Sequence, residues 1–110
     1  MTKYGSDLDA VFRALADPTR RGLIERLVRS PASVSQLADP FDAALPTIVE
    51  HLRVLERAGL VTSEKVGRVR TYQLAPDAFV ATNDWIVAQR RPQERRLERL
   101  GDYLTHPQGD

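Results

Sequence analysis

The sequence predicts one mostly α-helical domain with a single β-hairpin, and three observations lead to this prediction. Its 110 residues fit one domain. Apolar residues recur at i, i+3, i+4 and i+7 along most of the chain, as they do in amphipathic helices. After Gly59 this period gives way to two short runs rich in β-branched and aromatic residues, which indicate strands.

Two helices are predicted at the start of the chain. Ser6 can cap the first, which we place at about 6–16. Asp17 fits the N-cap of the second, with Pro18 as its first residue, and Ser30-Pro31 ends it after about Val28. The apolar stripes of these two helices comprise Leu8, Val11, Phe12, Leu15, Leu23, Ile24, Leu27 and Val28.

A short helix, a turn and a longer helix are predicted next. Ser33 can cap a third helix from Val34 to about Ala38, and Asp39-Pro40-Phe41-Asp42 is a turn signal. Pro46 fits the first position of a fourth helix, which Gly59 can end in the left-handed conformation. The buried stripe of this fourth helix is Ile48, Leu52 and Leu55.

A β-hairpin and a last helix are predicted after the fourth helix. The strands of the hairpin are predicted at Leu60–Lys65 and Val69–Leu74, joined by the loop Val66-Gly67-Arg68. A last helix is expected from Pro76 to about residue 104, with a kink or a new start at Pro92. A short helix, a tight turn and a second helix followed at once by a hairpin are the layout of a winged helix-turn-helix, so we predict residues 1–110 to form a single domain of this fold.

Three stretches of the chain resemble the ArsR family of winged-helix repressors over roughly residues 8–104. ALADPTRRGLIERL, at 14–27, is similar to the opening signature of that family. LPTIVEHLRVLERAGLV, at 45–61, is similar to its recognition helix, and KVGRVRTYQL, at 65–74, is similar to its hairpin, or wing. The resemblance implies a DNA-binding transcriptional regulator, a repressor acting as a homodimer, whose first and last helices (about 6–16 and 76–104) form the dimer interface.

The chain departs from the family pattern in two respects. Family members usually carry serines at the places of Ala44 and Val49, where they contact phosphates or bases, so the usual contact pattern is in doubt. Many relatives sense metals through a Cys-x-Cys pair or through Asp and His ligands on the last helix. Here Ser33-Val34-Ser35 occupies the first place, and no histidine lies between 76 and 104. We therefore expect no metal site and no cofactor.

The outer face of the fourth helix supplies the candidate base contacts. If its apolar stripe faces the core, the opposite face enters the major groove with its N-terminal half. Val49 could pack on a thymine methyl group, Glu50 could accept from cytosine N4, and Arg53 would contact phosphate or guanine. His51 lies between the two faces, where packing or a phosphate contact is expected rather than metal binding. The candidates on this helix are Pro46, Thr47, Val49, Glu50, His51 and Arg53, with Arg57 on the same face; the alternative is an ordinary solvated face.

The hairpin supplies the candidate backbone contacts. Lys65, Arg68 and Arg70 outnumber the single acid Glu64, so the hairpin tip can touch the DNA backbone or minor groove. The alternative is a charged edge that discourages aggregation between sheets.

Apolar residues near the end of the chain indicate a dimer interface. Its candidates are Trp85, Ile86, Leu97 and Leu100, alongside Val11 or Phe12. The alternative is that these side chains belong to the core of one subunit.

Composition excludes several classes of protein. A formal net charge of +1 neither demands nor excludes nucleic acid, and the absence of cysteine excludes disulfides and thiolate metal sites. The first residues lack the apolar core of a signal peptide and no apolar run reaches the ~20 residues of a membrane span, so a cytoplasmic protein is expected. No nucleophile stands with a base and an orienting group, so an enzyme is not expected.

Two other functions remain open on the same fold. One is a protein-interaction module that has lost operator binding, an interpretation motivated by Ala44 and Val49. The other is a regulator that senses a small molecule, for which the sequence reveals no ligand.

Overall fold

The computed structural model describes residues 3–90 of the chain, with side chains from residue 8 onward. The elements in chain order are α1 (Lys3–Leu15), α2 (Pro18–Arg29), β1 (Ala32–Ser33), α3 (Val34–Ala38), α4 (Leu45–Arg57), β2 (Val61–Val66), β3 (Val69–Leu74) and α5 (80–90). The predicted fold class, helical with one hairpin, is confirmed. None of the helices in the described range is long and apolar enough to cross a membrane.

The ends of α1 and α2 follow the capping signals only in part. The expectation that Ser6 caps the first helix is wrong, because α1 already begins at Lys3. Asp17 caps α2 as predicted, and its Oδ2 accepts a hydrogen bond from the backbone N–H of Arg20 at 3.0 Å. Ser30, in extended conformation, follows the last residue of α2.

The helix-turn-helix is formed by α3 and α4. Ser33 and Gln36 make a reciprocal capping box, with the Ser33 hydroxyl accepting from the Gln36 N–H at 3.3 Å and the Gln36 side chain accepting from the Ser33 N–H at 2.9 Å. Ala44 occupies the N-cap of α4, so Pro46 is its second residue rather than its first. Gly59 has φ +78° and ends α4 in the left-handed region, as predicted.

The hairpin belongs to a three-stranded antiparallel sheet of order β1-β3-β2. Val66 pairs with Val69, so the turn has two residues, Gly67 and Arg68, where a three-residue loop was predicted. Gly67, with φ +64°, supplies the left-handed conformation that this turn requires. The two-residue strand β1 was not predicted, because it has no pattern of its own and exists through pairing with Tyr72 and its neighbour in β3.

The core lies between the helices and the inner face of the sheet. The stripe of α4 is buried as predicted, and the largest fully buried side chains are Leu23, Leu37, Ile48, Leu52, Leu55, Leu60 and Val61. The expectation that Val28 joins this core is wrong, since it is 64% exposed. At 100° per residue Val28 lies about 90° from the centre of the arc formed by Leu23, Ile24 and Leu27, so it leaves the buried face.

The chain after β3 differs from the prediction. Residues 76–79 form turns, and α5 starts at 80 rather than at Pro76. The N–H of Ala75 donates to the carbonyl of Leu60 at 3.0 Å, and that of Ala78 donates to the carbonyl of Ala75 at 3.1 Å. The first bond ties the connection to the residue before β2, and the second closes a turn ahead of α5. The predicted kink at Pro92 and the apolar positions Leu97, Leu100 and Leu104 lie outside the described residues.

Candidate nucleic-acid interface

The outer face of α4 carries a compact group of opposite charges. Nη1 of Arg53 lies 3.4 Å from Oε2 of Glu50, and Nη2 of Arg57 lies 3.7 Å from Oε1 of the same carboxylate. The three side chains are 59–70% exposed. The arginines therefore compensate the negative charge of Glu50 at a surface that is still open to solvent.

The first turn of α4 presents apolar surface. Leu45 is 51% exposed, Pro46 and Thr47 are exposed, and Val49 is half-buried. Leu45 was missed as a candidate, although its position four residues before Val49 places it on the same face of the helix. A side chain of this size at the tip of a helix is available to a partner.

His51 lies at the junction of α2 and α4 and not on the outer face. Nη1 of Arg20 is 3.3 Å from Nδ1 of His51, and because a guanidinium only donates, the ring nitrogen accepts. Arg20 also donates to the carbonyls of Ala14 at 2.6 Å and Arg13 at 3.1 Å. One arginine thus connects the end of α1 to α4 through His51.

The N-cap of α2 borders this junction. Oδ2 of Asp17 lies 4.0 Å from Nδ1 of His51. The hydrogen bond from the Arg20 backbone N–H lowers the pKa of Asp17 below its ordinary value of 3.8; desolvation by burial opposes this effect, and the charge of Arg20 adds a smaller lowering. The carboxylate is therefore bound as a cap in its ionised form.

The hairpin is bonded to the last turns of α4. Nη1 of Arg70 donates to the hydroxyl of Ser63 at 2.8 Å, and that hydroxyl donates to Oε2 of Glu56 at 3.2 Å. In the register of β2 and β3, Ser63 faces Tyr72 and Lys65 faces Arg70, so all four side chains share the face turned to α4. Arg70 is directed toward the helix, whereas Arg68 lies in the turn at the tip.

A groove of about 460 Å³ separates the hairpin from the helix-turn-helix. Tyr72 is almost fully buried at its base, and this burial raises the pKa of its hydroxyl. The groove is lined by Val34, Val49, Arg53, Glu56, Arg70 and Tyr72. Five of these six come from α4 or the hairpin, so the two elements that were predicted to contact DNA border one concave surface.

A second surface, of opposite character, is formed by α1 and α5. The rings of Phe12 and Trp85 meet edge to face, with centroids 5.7 Å apart. Val11 is buried, so of the two expected alternatives only Phe12 is available to a partner. The exposed large apolar side chains of this surface are Phe12, Trp85 and Ile86, which we call the α1–α5 patch.

Metal-binding groups are scarce in the described part of the chain. Between residues 3 and 90, no three His, Asp or Glu side chains come together as a metal ion would require.

The chain is similar in sequence to known helix-turn-helix regulators. Residues 15–64 match a family described as a helix-turn-helix domain. The chain is 41% identical over 81 residues to the HTH-type transcriptional regulator Rv2034 of Mycobacterium tuberculosis, and the match covers 74% of this chain and 75% of that protein.

Solved structures agree with these sequence matches. A crystal structure of the ArsR family transcriptional regulator RHA00566 superimposes with a TM-score of 0.78 at 45% identity, covering 86% of this chain and 97% of that one. The solution structure of the homodimeric winged helix-turn-helix DNA-binding domain Mb0332 of Mycobacterium bovis superimposes with a TM-score of 0.64. At 21% identity, with 86% of this chain and 93% of that chain covered, this last likeness concerns the fold.

Proposed function

Because the chain belongs to the ArsR family of winged helix-turn-helix transcriptional regulators, we propose that it represses transcription by binding a specific operator as a homodimer. The observation that carries the proposal is the concave surface between α4 and the hairpin. Arg53 and Arg70 line it, and Lys65 and Arg68 extend it toward the hairpin tip. Cations beside a helix of the right size for the major groove are the arrangement that duplex DNA requires.

Base reading is assigned to the first two turns of α4. Thr47, Val49 and Glu50 are the proposed base contacts, and Pro46 lies beside them. Glu50 would accept from cytosine N4 while its paired arginines offset the repulsion between its carboxylate and the phosphates.

Backbone contact is assigned to the arginines and the hairpin tip. Arg53, Lys65 and Arg68 are the proposed phosphate contacts, and each would release condensed counterions on binding. Arg70 and His51 are assigned supporting roles, because Nη1 of Arg70 donates to Ser63 and Nδ1 of His51 accepts from Arg20.

Dimerisation is assigned to the α1–α5 patch. An apolar surface of this kind on a small domain calls for a partner, and a second copy supplies an identical patch about a two-fold axis. Trp85, Ile86 and Phe12 are the proposed contacts within the described residues, and Leu97 and Leu100 would extend the interface beyond them. Two α4 helices would then face two half-sites of one operator.

Occupancy of the operator by the dimer would account for repression. A dimer seated on two successive major-groove half-sites covers promoter base pairs that RNA polymerase or an activator would otherwise contact. Metal ions are not the proposed inducing signal, because the chain has no cysteine and the described residues hold no cluster of other ligands.

Selection of genomic DNA fragments by the purified protein tests the proposal. The expected result is one enriched, two-fold symmetric sequence, and a reporter carrying it should be expressed less when the protein is present. Increased expression would contradict repression but not DNA binding. Enrichment no better than that of random fragments would contradict operator binding and favour a protein-interaction module.

A further inference from the structure

We infer that the first turn of α4 selects operator bases by the methyl groups of thymine, which Leu45 and Val49 contact together. The inference rests on the proposed function and specifies what its recognition helix reads. It concerns a position, Leu45, for which the family resemblance suggested no role.

The two side chains form one apolar strip. Leu45 is the first residue of α4 and is 51% exposed, and Val49 lies one turn later on the same face. Val49 also lines the groove between α4 and the hairpin, so the strip leads from the helix tip into the concave surface. A leucine left this exposed at a helix tip offers apolar area to a partner of the same character.

Polar side chains are scarce in the first turn of α4. Ala44, Leu45 and Pro46 have no side-chain donor or acceptor, and between 44 and 49 Thr47 has the only one. The next polar side chain, Glu50, lies beyond Val49 and therefore beyond the strip. Few side chains at this end of α4 can therefore form hydrogen bonds with the base edges.

The chemistry of the major groove identifies the occupant. The C5 methyl group of thymine is the apolar group among the base edges that face this groove. Uracil presents the same donors and acceptors without the methyl group, so exchange of thymine for uracil removes only the apolar contact. An apolar strip followed one turn later by Arg53 matches a methyl-bearing base edge beside a phosphate.

Uracil scanning of the selected operator provides the test. Each thymine is replaced by uracil, one symmetric pair at a time, and affinity is measured by fluorescence anisotropy at fixed salt. We expect one position per half-site at which affinity falls about fourfold for each methyl group removed. In Leu45→Ala, exchange of thymine for uracil at that position should lower affinity by less than about twofold. Leu45→Met keeps a long apolar side chain and should show the same loss of affinity as the wild type.

The controls separate the inference from the proposed function. Val28→Ala shortens a valine on α2 that is 64% exposed, compared with 51% for Leu45, and should leave the loss of affinity caused by uracil unchanged. If no uracil position weakens binding, or if Leu45→Ala keeps the full loss of affinity, the inference is wrong while operator binding stands. If Leu45→Ala changes the oligomeric state, Leu45 belongs to a protein interface and the inference is also wrong. If no operator is selected at all, the proposed function fails instead.

Discussion

The guanidinium of Arg70 lies 2.8 Å from the hydroxyl of Ser63, across the two strands of the hairpin. Since the same hydroxyl donates to Glu56 at 3.2 Å, a chain of hydrogen bonds runs from β3 through β2 to the last turns of α4. The position of the wing is thereby tied to the position of the recognition helix. We propose that Arg70 contributes to DNA binding by fixing this geometry, while Arg68 at the tip of the hairpin contacts the duplex.

Removal of the central hydroxyl should loosen the wing. Ser63→Ala takes away two exposed hydrogen bonds, each worth about 0.5 kcal/mol, so we expect operator affinity to fall about fivefold. The slope of log K against log salt concentration should not become shallower, because no phosphate contact is removed. Thr62→Ala, on the opposite face of β2, is the matched control and should bind like the wild type. A shallower slope for Ser63→Ala would contradict the positioning role.

Exchange of Arg68 should act on every DNA sequence alike. Arg68→Ala should weaken operator and scrambled duplex by a similar factor and reduce the salt slope by about 0.9 for each phosphate that the side chain no longer neutralises. Glu50→Ala should instead relax preference at one base pair per half-site and raise non-specific affinity, since Arg53 and Arg57 lose their counter-charge. Salt titrations of both variants on both duplexes check this. If base preference changes only with Arg68→Ala, the roles of helix and wing are reversed.

A charge within the α1–α5 patch should separate the subunits. Trp85 is 47% exposed and packs edge to face on Phe12, so Trp85→Glu places a carboxylate where the second copy is proposed to lie. Sedimentation velocity at micromolar concentration should show a dimer for the wild type and a monomer for the variant. Val28→Glu, at a 64% exposed valine outside the patch, should remain dimeric. A wild-type monomer, or a dimeric Trp85→Glu, would refute this interface.

The cap of α2 should make stability depend on pH. The pKa of Asp17 is lowered in the folded chain, mainly by the hydrogen bond from the Arg20 N–H. A lowered pKa stabilises the fold where the carboxylate is ionised, and this contribution shrinks as pH falls below about 3.8 because the unfolded chain takes up the proton first.

Substitution of Asp17 measures that contribution. Asp17→Ala should lower the free energy of unfolding by about 1 kcal/mol at pH 7, and the difference from wild type should narrow as pH falls below the ordinary value of 3.8. Asp17→Asn keeps a capping oxygen without the charge, so its stability should stay close to wild type at pH 7 and decline less in acid. Urea unfolding between about pH 2.5 and pH 7 checks both, since this range spans the titration of the carboxyl group. A constant difference for Asp17→Ala would exclude the ionised cap as its source.

Metal ions should not release the operator. Zinc, cadmium and arsenite favour thiolates or clustered imidazoles and carboxylates, and the chain has no cysteine and two histidines. A gel-shift assay with each ion at a tenfold excess over protein should show unchanged binding. Stoichiometric binding of any of these ions that changes operator affinity would overturn the expectation.

The sequence by itself determined the features that depend on neighbouring residues. Asp17 caps α2, Ser33 caps α3 and Gly59 ends α4, because each signal acts within about one turn of helix. The stripe of Ile48, Leu52 and Leu55 is buried because helical periodicity fixes which side chains share a face. These local signals suffice for the order of elements, and hence for the fold class and for the helix that carries the candidate base contacts.

The tertiary structure alone decided how distant segments meet. It paired β1 with Tyr72, directed Arg70 to Ser63 and engaged His51 with Arg20, and no local pattern encodes these contacts. It also buried Val11 while leaving Phe12 exposed, although both belong to one apolar stripe of α1. Each outcome depends on which element packs where, because the burial of a side chain and the partner of a charge are fixed by the neighbours that folding brings from elsewhere in the chain.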